Sequence, residues 1–198
     1  MSVVTGARIR LAALSSPQPI APDPAARLVA LGPPDRHDRV PVIAFDGQGS
    51  VEARLLRDGL ARLTVTRLVP RPCWAHFESA ETEAVRDRRG LWAAPAALIA
   101  ATNAEALKAA AGRFIIAEGR VISVRTLGRI TYVNFGRADS GALTATINER
   151  DLPRFRERGL EPAAFRGHIL RVRGTVSFRR GPVIAAAIPE AMTIASGR

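Results

Sequence analysis

Residues 50–61, SVEARLLRDGLA, decide how the first half of the chain folds. Ser50 is a typical helix N-cap residue, and Gly59 lies where a helix commonly ends. The apolar residues between them recur at the spacing of one helical face: Val51, Leu55, Leu56 and Leu60. The stretch therefore predicts an amphipathic helix that packs against a sheet.

The residues around this helix predict further elements. Residues 6–14 and 40–45 favour strands, and the four prolines within 15–26 favour a loop between them. A short strand is expected at 63–69. A second helix is expected at 74–92, with an apolar set that includes Trp74 and Trp92 packed at the base of the domain.

The second half is rich in strands. Alanine-rich residues 95–112 predict a helical linker. The strand candidates beyond it are Phe114–Thr126, Ile130–Phe135, Leu143–Ile147, His168–Phe178 and Val183–Ala187. Short helical turns within 151–165 separate the third candidate from the fourth, which is the element order of an OB-type barrel.

The predicted fold class is therefore α+β, mainly β with helices, in two small barrels. We expect the first domain over 1–94, the linker over 95–112 and the second domain over 113–198.

Charge points to an anionic partner. The chain of 198 residues carries 29 basic and 18 acidic residues, a formal net charge of +11, and Lys108 is its only lysine. Arginine's planar fork suits phosphate, so nucleic acid is the first expectation. An arginine-rich genome could produce the same composition.

Several classes of protein and site are disfavoured. Cys73 is the only cysteine, so an internal disulfide is excluded, and three scattered histidines do not form a Cys/His metal cluster. No apolar stretch approaches about 20 residues, so no membrane partner is expected. The start lacks the pattern of a signal peptide, which predicts a cytoplasmic protein; a start further upstream with such a signal would predict export.

Four segments in order carry a family resemblance. They are Asp35–Ile43, Val51–Ala61, Ala80–Ala84 and Arg89–Trp92. They resemble the turn and strand, the "G-L-A" helix, the "A-E-x-x-A" helix and the closing "G-L-W" of the staphylococcal-nuclease-like (thermonuclease) family. Residues 8–17 also resemble that family's active-site strand and loop. The resemblance implies a nuclease-type barrel over the first half of the chain.

The resemblance also implies a site. Arg10 and Arg39 match the family's two phosphate-binding arginines. Ser15 stands where a calcium-binding aspartate is expected, Ser16 at the adjacent small-hydroxyl position, and Gln18 where the family has its glutamate. The family's opening "D-G-D-T" motif has no counterpart. Calcium prefers anionic oxygen ligands, so the resemblance implies arginines kept and catalytic carboxylates lost, with no metal site.

Other residues fit nucleic-acid contacts. Arg8 shares a strand face with Arg10. In the second half, the candidates for phosphate or base contacts are Arg120, Arg129, Tyr132, Arg171 and Arg173. Aromatic platforms beside basic grooves bind single strands. Asp35 and Asp38 are expected to form a turn, with Asp23 or Asp35 as a possible substitute metal ligand.

Three functions remain open at this stage. The first is a catalytically degenerate member of the family that binds nucleic acid or another phosphate-rich partner and needs no cofactor. The second is an active, calcium-dependent phosphodiesterase. The third is a protein-interaction scaffold within a larger assembly.

Overall fold

The computed structural model describes residues 8–94, 97–178 and 180–195. The chain divides into two compact units, Met1–Pro95 and Ala96–Arg198. Both units are built from strands and short helices, so the predicted α+β class is confirmed. Among the described residues, no helix combines the length and the apolarity that crossing a bilayer requires.

The first unit places two helices beside short strands. Its elements in chain order are β1 (Arg8–Leu11), β2 (Leu14–Ser15), β3 (Arg27–Ala30), β4 (Arg39–Asp46), β5 (Gly49–Ser50), α1 (Val51–Arg57), β6 (Arg62–Leu63) and α2 (Arg71–Arg86). A 3-10 turn follows at Gly90–Ala93.

Strand β4 is the centre of this unit. It pairs in parallel with β1 and antiparallel with β3, while β2 and β6 form a separate ladder. The middle of β4 is buried, and Val42 and Ala44 pack with Leu11 and with Val51 of α1. The apolar run of β4 therefore fixes where β1 and α1 lie.

Helix α1 confirms the prediction from residues 50–61. The Ser50 hydroxyl accepts a hydrogen bond from the Ala53 amide at 3.3 Å, which caps the helix start. The second predicted helix is shorter than expected: α2 ends at Arg86, and residues 87–92 leave the helical path. Arg88 and Gly90 have φ values of 53° and 49°, which an α-helix does not accommodate.

Two glycines bring the end of α1 against the turn after α2. The Leu91 amide donates to the Gly59 carbonyl at 2.8 Å. A Cβ atom at Gly59 would lie 2.2 Å from the Arg89 carbonyl oxygen, and one at Gly90 would lie 2.5 Å from the Gly59 oxygen. Both glycines also have positive φ. A side chain at either position would therefore clash with backbone atoms and also strain the local backbone conformation.

We expect Gly59→Ala to lower the free energy of unfolding of the first unit by about 2 kcal/mol or more, because it combines strain with a backbone clash. Denaturant unfolding followed by circular dichroism measures the change. Gly49→Ala is the matched control, since Gly49 has a φ of 105° but no atom within 4 Å of its Cβ position. An equal decrease in the free energy of unfolding for the two variants would show that the close approach of Gly59 to Gly90 does not contribute to stability.

The first turn of α1 carries a buried carboxylate. Glu52 is fully buried and accepts hydrogen bonds from the Ala44 amide at 3.1 Å and from the Ser50 hydroxyl at 3.1 Å. Burial raises the pKa of Glu52 above its ordinary value, because the charged form is desolvated. The hydrogen bonds oppose this shift without cancelling it.

We expect Glu52→Gln to raise the free energy of unfolding at pH 7. A carboxyl with a raised pKa holds its proton better in the folded state, so it stabilises the fold least at pH values above the raised pKa. The amide keeps an acceptor for Ala44 and carries no charge. Unfolding measured from pH 4 to pH 8 should decline less steeply with pH for the variant, and an unchanged slope would contradict this assignment.

The described residues of the second unit hold the remaining strands and two α-helices. Its elements are β7 (Ile99–Ala100), α3 (Ala104–Ala109), β8 (Phe114–Arg120), β9 (Ser123–Leu127), β10 (Ile130–Asn134), β11 (Thr144–Asn148), α4 (Leu152–Glu157), β12 (Ile169–Thr175), β13 (Ser177–Phe178), β14 (Pro182–Ala185) and β15 (Met192–Ile194). The five predicted strand regions are all present; β15 was not predicted.

Hydrogen-bonded ladders join these strands into two sheets. One has the order β13-β14-β11-β10-β9, and the other has the order β15-β12-β8-β7. Two predicted strands are each broken into a pair, β8 with β9 and β12 with β13, and the chain crosses between the sheets at these breaks. In the described residues the ladders therefore form two sheets and no closed barrel, unlike the prediction of a barrel.

The segment predicted as a helical linker differs from that expectation. Among residues 97–112, the α-helical part is Ala104–Ala109, and β7 within the same segment pairs in parallel with β8. A Cβ atom at Gly119 would lie 2.8 Å from the Ala101 Cβ, so the small side chain of Ala101 fits closely against β8. Alanine favours helix but also permits this close packing.

Candidate functional site

A tight turn before β4 positions the first group of charged residues. The Asp35 carboxylate accepts hydrogen bonds from the His37 amide at 2.9 Å and the Arg39 amide at 3.2 Å. The Asp35 amide donates to the Arg39 carbonyl at 2.9 Å, and Asp38 has a φ of 57°. Aspartate is suited to such a turn because its short side chain bonds to the backbone that follows it.

Two arginines meet at the same carboxylate. Arg39 donates to Asp35 Oδ2 through Nη2 at 2.8 Å and through Nε at 3.1 Å. Arg10 Nε lies 3.5 Å from the same oxygen. Parallel pairing of β1 with β4 brings Arg10 opposite Pro41, two residues beyond Arg39. The structure therefore brings together the two arginines selected from the sequence, and it adds Asp35 between them.

The charge of this group is unbalanced. Two guanidinium groups share one carboxylate, and Arg8 lies directly opposite Arg39 in the strand register with its side chain exposed. The side chains of Arg10 and Arg39 are 33% and 38% exposed, so an anion from solvent can reach both. We call Arg10, Asp35 and Arg39 the Asp35 cluster.

Arg39 and the amides of the turn change the acidity of Asp35. The hydrogen bond from Arg39 is the largest cause that holds the pKa of Asp35 far below its usual range, and the His37 and Arg39 amides act in the same direction. Asp35 thus stays ionised at every pH near neutrality. It acts as a fixed negative charge that orients the two arginines.

The depressed pKa predicts a pH dependence. The ionised Asp35 carboxylate stabilises the fold fully at pH values above the ordinary aspartate pKa of 3.8. This stabilisation is lost as the pH falls below that value. Asp35→Asn should therefore unfold more easily than the parent at pH 7, with the difference shrinking below pH 3.8. Thermal unfolding across this range measures it. Asp38→Asn serves as control, because asparagine tolerates the same backbone conformation; an equal loss for both variants would contradict the assignment.

The loop in which the resemblance implies lost carboxylates, residues 15–18, follows Arg10 closely in the sequence. Ser15 belongs to β2 and pairs with Arg62 of β6. The Ser16 hydroxyl donates to the Leu60 carbonyl at 3.2 Å and accepts from the Gln18 amide at 3.2 Å. Ser16 and Gln18 are thus part of a local turn. Across residues 8–94, 97–178 and 180–195, no group of three or more His, Cys, Asp or Glu side chains is arranged to hold a metal ion.

The candidates in the second unit differ in their exposure. Arg129 is 88% exposed, with its Nε 3.8 Å from a Glu149 oxygen, and Arg120 donates to the Gly167 carbonyl. Tyr132 is half-buried on β10, directly opposite Arg125 of β9. These residues remain open to a ligand.

Two other candidates in this unit are engaged. Arg171 donates to Glu118 across β12 and β8 at 2.7 Å. Arg173 is only 3% exposed, which differs from the prediction that it lies beside Arg171 on a surface face. Strand β12 is flanked by β8 and β15 in its sheet, and alternation alone did not indicate how deeply Arg173 is covered.

Sequence reasoning missed two roles. It treated Asp35 as a turn former and did not anticipate that one carboxylate would hold both arginines, although the spacing from Asp35 to Arg39 allows it. It also passed over Arg62, whose guanidinium carbon lies 5.7 Å from the centre of the Trp92 ring. The position of Arg62 directly after the "G-L-A" segment was the only available signal.

Comparisons with known proteins add little to this geometry. No protein-family model and no curated protein matches the chain. Among solved structures, it is similar to OBody AM3L15 bound to hen egg-white lysozyme, with 16% identity, a TM-score of 0.35, and coverage of 48% of this chain and 92% of that one. It is also similar to OBody AM1L10 bound to hen egg-white lysozyme, with 18% identity, a TM-score of 0.33, and coverage of 45% and 85%.

Proposed function

We propose that this chain is a non-catalytic nucleic-acid-binding protein that holds backbone phosphates through Arg10 and Arg39. The observation that carries the proposal is the Asp35 cluster, in which two partly exposed guanidinium groups meet at one carboxylate. Phosphate oxygens accept paired hydrogen bonds from an arginine fork, and preorganised arginines lose less freedom on binding.

The formal net charge of +11 supports the same partner. A polyanion releases its counterions when arginines neutralise its phosphates, so a basic protein gains affinity that is independent of sequence. The cluster itself keeps one positive charge in excess, with Arg8 beside it. Binding of this kind falls steeply as salt rises.

The resemblance to the thermonuclease-like family supports a phosphate-binding rather than a hydrolytic role in this proposal. The positions that match the family's calcium ligand and its glutamate hold Ser15 and Gln18. A serine hydroxyl is a weak ligand for a hard dication, and glutamine cannot take a proton from water at neutral pH. Arg10 and Arg39, by contrast, are retained.

Strand order in the second unit supports an OB-like module as part of the proposal. Strands β8 and β9 together act as one bent strand that pairs with β12 and then with β10. Strand β11 pairs antiparallel with β10 and in parallel with β14, and α4 lies between β11 and β12. Five strands with this helix position match the OB order.

The outer face of β9, β10 and β11 would give this module a surface for bases. Tyr132 lies in register between Arg125 and Thr146 on that face. The next pair on the same face is Ile130 of β10 with Leu127 of β9, and Leu127 is 66% exposed. A tyrosine ring next to an arginine fits the stacking and charge that single strands use.

The binding experiment follows from these contacts. A fluorescently labelled, single-stranded oligonucleotide is titrated with the full chain at several salt concentrations. We expect Arg10→Gln and Arg39→Gln each to weaken binding about tenfold at low salt, and each to reduce the slope of log affinity against log salt by about 0.7. Arg86→Gln on α2, where Arg86 is 71% exposed beside Asp87, removes the same charge as a control.

Equal effects of the three variants would show that only net charge matters and would contradict the assignment to the Asp35 cluster. Failure of the parent chain to bind at low salt would overturn the proposed function. Cleavage of the oligonucleotide after addition of calcium, abolished by Arg39→Gln, would replace it with the phosphodiesterase alternative.

A further inference from the structure

One asparagine on the outer face of β9, β10 and β11 is held between two hydroxyl groups. Asn134 of β10 lies in register between Ser123 of β9 and Thr144 of β11. Its Nδ2 donates to the Ser123 hydroxyl at 3.2 Å, and its Oδ1 accepts from the Thr144 hydroxyl at 3.1 Å. These two bonds come from neighbouring strands on opposite sides, so they restrain the amide group from both sides.

The Asn134 amide keeps hydrogen-bonding capacity after these two bonds. A carboxamide carries two N–H donors and an oxygen that accepts two hydrogen bonds. The part of the chain that the structure describes supplies no further partner to this side chain, so one donor and one acceptor remain. Asn134 is half-buried, so its side chain is partly open to solvent. A free donor next to a free acceptor is the pattern that pairs with the edge of a base.

A ring and a cation lie beside this amide on the same face. Side chains two residues apart on a strand share a face and lie about 7 Å apart, so Tyr132 is the neighbour of Asn134 along β10. Arg125 is exposed and lies directly opposite Tyr132 on β9. An aromatic ring next to an arginine suits a stacked base and its phosphate. A base that stacks on Tyr132 has its edge within side-chain reach of Asn134.

The charge of this face favours an anionic strand. Strands β9, β10 and β11 contain no acidic residue, and Arg125 is the one charged residue in them. Acidic residues lie instead around α4, where Asp151 pairs with Arg154 and Glu161 pairs with Arg156. The face therefore attracts a polyanion whose rings can stack, which describes single-stranded nucleic acid.

We propose that Asn134 recognises adenine in a single strand bound on this face. Adenine carries its N6 donor next to its N7 acceptor, so N6 donates to Oδ1 while Nδ2 donates to N7. On the corresponding edge guanine presents two acceptors, cytosine presents its N4 donor, and thymine presents its O4 acceptor and a methyl group. A carboxamide therefore forms both bonds on this edge with adenine alone.

The inference rests on the proposed function, because it requires that the chain bind single strands. It adds the base that is preferred and the residue that selects it. Ser123 and Thr144 act as positioning residues in this assignment. Their hydroxyls hold the amide in one place, so that its remaining donor and acceptor meet the base without a further loss of side-chain freedom.

The test compares labelled homopolymers of adenine, cytosine and thymine, about eight nucleotides long to match the site size of one OB module. Their binding to the full chain at low salt is measured by fluorescence anisotropy. We expect the parent chain to bind the adenine strand about tenfold more tightly than the other two strands. Asn134→Ser keeps a hydroxyl for its neighbours but loses the amide, so we expect this preference to disappear.

Asn148→Ser is the matched control. Asn148 lies on the same face opposite Ile130, and its Oδ1 accepts from the Arg150 amide at 3.2 Å, a bond that serine also makes at such a position. We expect this variant to keep the adenine preference of the parent. Asn134→Asp, by contrast, cannot donate to N7 but accepts from N4 of cytosine, so we expect its preference to move from adenine toward cytosine.

A change in the ligand tests the same contact without altering the protein. In a strand of 7-deazaadenine a carbon replaces N7, so the acceptor for Nδ2 is lost while N6 and the stacking ring remain. We expect the parent chain to bind this strand about fivefold more weakly than the adenine strand, as expected for one neutral hydrogen bond. Asn134→Ser should bind the two strands equally.

Equal affinity of the parent chain for the three homopolymers overturns the proposal. So does an adenine preference that Asn134→Ser retains, or one that Asn134→Ser and Asn148→Ser reduce equally. If Asn134→Ser fails to fold, the 7-deazaadenine strand decides the matter with the parent chain alone, and unchanged affinity for that strand overturns the proposal.

The double variant Arg10→Gln with Arg39→Gln separates this inference from the proposed function. If it binds the strands as the parent does while the adenine preference persists, the proposed role of the Asp35 cluster fails and the recognition of adenine stands. If it binds every strand more weakly while the parent shows no preference among the homopolymers, the recognition of adenine fails alone. Absence of binding of any strand at low salt overturns both.

Discussion

One carboxylate organises the charged surface of the first unit. Asp35 accepts hydrogen bonds from two backbone amides of its own turn and from the side chain of Arg39, while Arg10 approaches the same oxygen. Two guanidinium groups this close would repel each other without a negative charge between them. Because Arg39 and the amides of the turn hold the pKa of Asp35 low, that charge persists and the pair stays assembled. The arrangement leaves an excess of positive charge near the surface.

Glycine contacts determine which arginine meets the Trp92 ring. Gly59 and Gly90 approach so closely that neither tolerates a side chain, and this contact places Trp92 near Arg62. Backbone packing thus determines which arginine lies against an aromatic ring.

The sequence predicted regular elements well where pattern and cap agreed. Helix α1 follows from its apolar spacing and the Ser50 cap, and the strands of the second unit follow from alternation. The end of α2 was missed because residues 87–92 keep a helical apolar pattern, although positive φ at Arg88 and Gly90 ends the helix. The pairing of β7 was missed because the alanines around it favour helix in isolation and strand only in contact with β8.

The candidate site was predicted less completely. Motif positions selected Arg10 and Arg39, and the structure brings them together, yet Asp35 was considered only as a turn former or a substitute metal ligand, and not as the partner of both arginines. Alternation along β12 placed Arg171 and Arg173 on one exposed face, whereas Arg173 is buried. Periodicity reports which residues share a face; it does not report whether another element covers that face. Arg62 belongs to no motif, and only its contact with the Trp92 ring in three dimensions identifies it.

The central claim is that phosphate binds at the Asp35 cluster, and a crystal of the full chain grown with a short single-stranded oligonucleotide tests it most directly. The account predicts density for a backbone phosphate within hydrogen-bond distance of both Arg10 and Arg39, with Asp35 still bonded to its turn. An oligonucleotide seated entirely on the second unit, with the Asp35 cluster facing only solvent, would contradict it.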